Sequence, residues 1–348
     1  MAYAFQPSPS FPMRYFLKSV ATSKLTLPIV CTLAVLTLTF QTLPIDHFAE
    51  GESGLWRLIP LQLIEERWTQ LAIRIGLLAL SIYLLAELNI SFVLLRVRSR
   101  MISSLFTVLF IASVFLHLLQ PSSVIAPVII IAYFALFSTY QQSNAVLPTY
   151  SFYLLIALCS LIFPKILFMI PVFWVCQTHL RSFSFRAFWA SIVGLSTPYW
   201  FLFFYSLVQM DRLQLFCLPF QQLASIQMPD YAALSLPQWL MLGYTFLVFL
   251  FGFFNFLGTS YLDKTRVRIT YDIVIIIAFA AFVFIVLQPQ CFNPVFIFCI
   301  INTAILSGRY FAQNDSRAAS ILFIILTTIV TLITLFNLFQ DSILRGLL

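Results

Sequence analysis

Apolar runs of 14 to 25 residues recur along almost the whole chain, separated by short polar breaks. Eleven such runs stand out, at roughly 25–41, 71–95, 101–119, 124–140, 150–163, 166–179, 188–210, 239–257, 273–288, 294–307 and 319–339. A helix crossing the hydrocarbon core needs about 20 mostly apolar residues, so most of these runs predict spans. A transmembrane β-barrel requires strict alternation of apolar and polar residues. Runs such as 273–287 are apolar on every face, and they predict helices, whose backbone groups are satisfied within the segment. The expectation is an all-α, polytopic transmembrane bundle of about eleven helices, forming one domain over 1–348. No internal repeat or change of composition marks a second domain.

The fifth and sixth runs are the weak pair. Residues 150–179 give thirty residues for two crossings, with Pro164 and Lys165 at the turn and Pro171 in the return. Each leg reaches only about 22 Å at the helical rise, against a core of about 30 Å. The pair is either a hairpin in a thinned bilayer or a re-entrant element, and the second case lowers the count to nine.

Composition agrees with the pattern. Of the 348 residues, 61 % are hydrophobic and 9 % charged, and mean hydropathy is +0.98. A soluble domain carries about 25 % charged residues, so a water-facing globule is excluded. Charge then sets orientation. With the N-terminus in the cytoplasm, thirteen of the nineteen Lys and Arg fall on the inner side, against three acids. The outer side holds six cations and eight acids, and Glu87 lies within the second span. This is the positive-inside bias of a bacterial inner-membrane protein. The net charge of +7 is therefore a topology signal, and no basic run interleaved with aromatics points to nucleic acid. Residues 1–24 are too polar for a cleavable signal and read as a cytoplasmic segment before a signal anchor.

The six cysteines form no CxxC pair and no Cys/His cluster, so no metal site is expected from them. Four fall in spans. Cys217 and Cys291 fall in outer loops, where they are either free thiols or a pair bridged in an oxidising compartment. Nucleotide loops, zinc-protease motifs and nucleophile elbows are absent.

Candidate chemistry concentrates in the first outer loop, 45–70. Asp46, Glu50 and Glu52 accompany His47 there. Pro60 suits the first turn of a helix, and Leu61, Ile64, Trp68 and Leu71 then recur at spacings of three and four, which predicts an interfacial helix over 60–70 leading into the second span. Arg67 and Arg74 are seven residues apart and share a face. Asp46, with Glu50 nearby, suits a general base or a divalent-cation ligand, and Arg67, Arg74 and Lys165 suit a lipid-linked phosphate. The alternative is equally physical: acids accumulate outside under the positive-inside bias, and interfacial cations snorkel to ordinary headgroups. Elsewhere, Glu87 is expected to pair with Arg96, Arg98 or Arg100, Asn255 and Asn302 to bond between helices, and Gly194, Pro198 and Pro294 to mark kinks.

Asp46, the 60–70 helix, Arg74 and the stretch 150–165 (YSFYLLIALCSLIFPK), which ends in Lys165, together resemble the C-type glycosyltransferases that use polyprenyl-phosphate sugars. The resemblance covers roughly 25–186 and implies sugar transfer on the outer face, with a polyprenyl-phosphate lipid as partner and no organic cofactor. The segments 163–174 (FPKILFMIPVFW), 181–186 (RSFSFR) and 194–199 (GLSTPY) are more closely similar to a family of Bacteroidota inner-membrane proteins without an assigned activity. The reading of a different class is a non-catalytic membrane component or a lipid-handling transporter.

Overall fold

The structure is a computed structural model, and it describes residues 17, 19–21, 23, 25–40, 67–97, 99–142, 144–208, 213–225, 228–314 and 316–346. Every regular element among them is helical. The α-helices are α1 (Thr26–Phe40), α2 (Arg67–Phe92), α3 (Met101–Ala112), α4 (Pro121–Ser138), α5 (Val146–Ile162), α6 (Ile170–His179), α7 (Phe185–Val208), α8 (Leu213–Ala224), α9 (Leu236–Thr259), α10 (Thr265–Leu287), α11 (Phe292–Gln313) and α12 (Arg317–Gly346).

Each of the eleven apolar runs contains a helix among its described residues, but length separates them. Seven described helices are long and apolar enough to cross a membrane: α2, α4, α7, α9, α10, α11 and α12. Helices α1, α3 and α5 have 15, 12 and 17 residues. At the helical rise these reach about 22, 18 and 26 Å, short of the core on their own. Helix α6 is shorter still, at 10 residues, and is preceded by the 3-10 turn Pro164–Met169. The expected count of about eleven spans, or nine, is thus not reached by helix length alone, which supports seven among the described residues.

Two boundaries differ from expectation for local reasons. The third run stops at Ala112, because Ser113 turns its hydroxyl back to Leu109 O (2.8 Å) and the chain tightens into a 3-10 turn over Val114–Leu116. The second run begins earlier than 71: the described helix α2 is continuous from Arg67 into the span, and residues 60–66 of the expected interfacial helix lie outside the described residues. The rest of the loop, 41–66, lies outside the described residues. Helix α8 was not expected at all. Its Gln214, Gln221, Gln222 and Pro219 interrupt the apolar run, yet Phe216 and Phe220 pack on Phe203 and Tyr199 of α7.

Helix α11 is the axis of the bundle. Of its spanning stretch 89 % is buried, against 28 % for α2 and α7 and 22 % for α12, whose remaining faces suit lipid. It packs against α3, α4, α9 and α10. Burial on all sides demands partners for its polar groups, and Asn302 accepts from the Tyr133 hydroxyl of α4 (3.0 Å) as an inter-helix bond. Small residues let neighbours close in. A Cβ on Gly308 would stand 2.7 Å from Ile102 Cγ1 and 3.0 Å from its Cα, and one on Gly194 would stand 2.7 Å from Tyr150 O. Gly194 therefore serves as a close approach between α5 and α7, a role different from the kink expected of it.

The chain direction defines two ends. At one, Asn293 of α11 donates to Gln120 (2.8 Å) and accepts from Gln238 of α9 (3.1 Å), tying the starts of α4, α9 and α11 together. At the other, the end of α11 meets the α2–α3 and α9–α10 connections. Cys217 is exposed and Cys291 buried.

Candidate functional site

Asp46 and Glu50 lie outside the described residues, as does the side chain of Arg67. Arg67 and Arg74 nevertheless share one uninterrupted helix, so their seven-residue spacing keeps them on one face, two turns apart.

Arg74 is the predicted residue with the most telling surroundings. It is half-buried near the start of α2, and Nη2 donates to Gln70 Oε1 one turn back (3.1 Å). Its Nε is buried and has no acceptor, and neither has the buried Nε2 of Gln70. No carboxylate among the described residues pairs with Arg74. Buried donors are rarely left without acceptors, because each then loses its water without replacement. Arg74 borders a small hollow among α1, α2, α3 and α4 whose lining includes Leu38, Leu78, Phe110, His117 and Ser123. The hollow holds about one water molecule and would have to open for anything larger.

His117 closes this hollow from the 113–120 connection. Its Nε2 lies 3.0 Å from Phe110 O, and the ring stacks on Phe110 at 5.4 Å. A carbonyl partner requires that Nε2 carry the proton. Burial pushes the imidazole down to about 4, and the charge of Arg74 acts in the same direction. At neutral pH the ring is uncharged, so Arg74 is the cation of this pocket.

Lys165 does not join it. It lies in the 3-10 turn Pro164–Met169, which packs against α5, α6 and α8, and it does not line the Arg74 hollow. It is buried, and among the described residues it has no hydrogen bond or ion pair. The three predicted cations therefore do not form one cluster in the described part: Arg67 and Arg74 share α2, and Lys165 stands apart.

A second concentration of charge lies at the opposite end. Asp263 is fully buried. Its Oδ2 accepts from Arg309 Nε (3.0 Å) and its Oδ1 from Arg96 Nε (2.9 Å). Arg309 is 2 % exposed, donates to Thr259 Oγ1 (3.0 Å), and lies over the rings of Phe256 and Tyr271 at 5.0 and 5.4 Å. Arg96 thus binds Asp263 rather than Glu87, which accepts from Ser91 (3.4 Å). Nothing in the sequence pairs residue 96 with residue 263. Proximity along the chain favoured Glu87, and the three-dimensional pairing follows from how the loops meet. His117, 43 positions after Arg74, was likewise legible only as a histidine at a span end.

Among the described residues no group of three or more His, Cys, Asp or Glu side chains is placed to hold a metal ion. Comparison with protein-family models, with curated proteins and with solved structures finds no match to this chain.

Proposed function

We propose that the protein grips the anionic head of a lipid at the Arg74 end of the bundle. The observation that supports this is the half-buried guanidinium with a buried, unaccepted Nε and, among the described residues, no carboxylate partner, beside a Gln70 amide nitrogen that is likewise unaccepted. A phosphate oxygen completes such donors, and an arginine fork matches it in geometry. The hollow is lined by α1, α2, α3 and α4, the sequence joins α1 to α2 through the segment that carries Asp46 and Glu50, and the positive-inside reading assigns this end to the outer face of an inner membrane.

In its full form the reading is a membrane glycosyltransferase of the C type. A polyprenyl-phosphate sugar enters from lipid, Arg74 and Arg67 hold its phosphate, Asp46 with Glu50 nearby takes the proton of the acceptor hydroxyl, and that oxygen bonds to the sugar's anomeric carbon as polyprenyl phosphate leaves; Lys165, away from the hollow, takes no part in this step. The second reading keeps the lipid and drops the chemistry: a lipid-handling membrane component. The small size of the hollow favours this second form, since it admits a phosphate oxygen but no sugar ring without rearrangement.

Complementation of a deletion strain separates the two, with protein level monitored by blot. Loss of the deletion's glycolipid phenotype rescue by Asp46→Asn supports transfer, because a general base contributes about 10²–10⁴ in rate. Full rescue by Asp46→Asn together with failure of Arg74→Gln leaves lipid binding alone. Full rescue by both variants overturns the proposal.

A further inference from the structure

The connection between α2 and α3, residues 93–100 with 98 undescribed, is short and unusually well tied. Val93 takes a φ of 49°, the left-handed region. A β-branched residue is strained there, and such backbone persists only when its surroundings hold it. The ties are visible. Asn89 closes the connection on itself: Leu95 N donates to its Oδ1 (3.1 Å), and its Nδ2 donates to Ser99 O (3.0 Å). Tyr271 of α10 donates its hydroxyl to Leu94 O (3.2 Å). Arg96 reaches Asp263, and this is the exposed tie, with the Arg96 side chain 46 % exposed and Asp263 1 %.

The charges are unequal in a useful way. Arg309 already supplies Asp263 with a buried counter-charge on its other oxygen. Removing Arg96 therefore leaves no uncompensated ion behind, whereas removing Asp263 strands Arg309. Arg96 is a detachable partner, and it directly follows Leu94 and Leu95, which are 1 % and 4 % exposed.

We propose that 93–97 is a releasable strap at the Arg309 end of the bundle, held shut by the Arg96–Asp263 pair and biased toward release by the left-handed Val93. The strap continues α2, so its docking sets a stop at one end of the helix that carries Arg74 at the other. The proposal stands whether or not Arg74 binds a lipid.

Amide hydrogen exchange on the full chain in nanodiscs tests it, read at the peptide covering 93–97. Arg96→Gln is expected to speed exchange there about fivefold, in line with a half-exposed pair, with the melting temperature little changed. Raising salt is expected to speed exchange in the native chain and not in Arg96→Gln, since screening acts on the exposed pair alone. Val93→Gly relieves the strain and is expected to slow exchange. Exchange that ignores both Arg96→Gln and salt, or that accelerates in Val93→Gly, overturns the strap.

Discussion

At the Arg309 end, two arginines divide the oxygens of one buried aspartate, and aromatic rings and a threonine hydroxyl take up the rest of Arg309. At the Arg74 end, an arginine on a shorter leash has one amide oxygen, a neutral histidine nearby and buried donors with nothing to receive them. A completed set of partners is what a structural ion needs, because stranding a buried charge is costly. An incomplete set is what a binding site leaves for its ligand. On the proposed reading, the same residue type holds the fold together at one end and takes an anion at the other.

The largest effect expected from breaking this contrast is at the aspartate. Asp263→Ala leaves Arg309 buried without a counter-charge and should cost about 3–5 kcal/mol, read as a large fall in melting temperature in detergent. Pairing Asp263→Leu with Arg309→Met removes both charges and should recover much of that loss. A double variant no better than Asp263→Leu alone would mean that the pair is not what sets the cost.

Next comes geometry without charge. Gly308→Ala pushes a methyl against the backbone of Ile102 and should cost about 1–3 kcal/mol by forcing α3 away from α11 beside the ionic cluster. A melting temperature equal to that of the native chain would show that the two helices can part freely.

Arg74→Met should stay within about 1 kcal/mol of the native chain, or exceed it, since it deletes donors that lack acceptors. A loss as large as that of Asp263→Ala would make Arg74 structural. The smallest effect at neutral pH is that of His117. Its folded value is depressed below the ordinary 6.5, so the unfolded chain binds the proton first. Stability should be constant above about 6.5 and fall as pH drops toward about 4. His117→Gln should flatten that part of a melting-temperature profile.

How far the sequence reaches is clear from particular residues. Unbroken apolar runs give the helices, because a buried or lipid-facing helix has no polar face to lose. Their lengths are less legible: Val114, Phe115, Leu116, Leu118 and Leu119 keep the third run apolar after the helix has ended, since hydropathy does not register a 3-10 turn. Helix α8 escapes for the opposite reason, its glutamines and Pro219 hiding an amphipathic segment. Arg74 is visible as a cation at a span mouth, yet that no described carboxylate reaches it is a fact of packing. Arg96 and Asp263 are 167 positions apart, and only the folded chain brings them together. Asp46 and Glu50 rest on sequence alone.

Thermal unfolding of the purified chain with increasing polyprenyl phosphate tests the central claim most directly, comparing the native protein with Arg74→Gln. The account predicts a saturable rise for the native chain, about 2.7 kcal/mol of stabilisation at a hundredfold excess over Kd, and none for Arg74→Gln. An equal rise in both, or no rise in either, would contradict it.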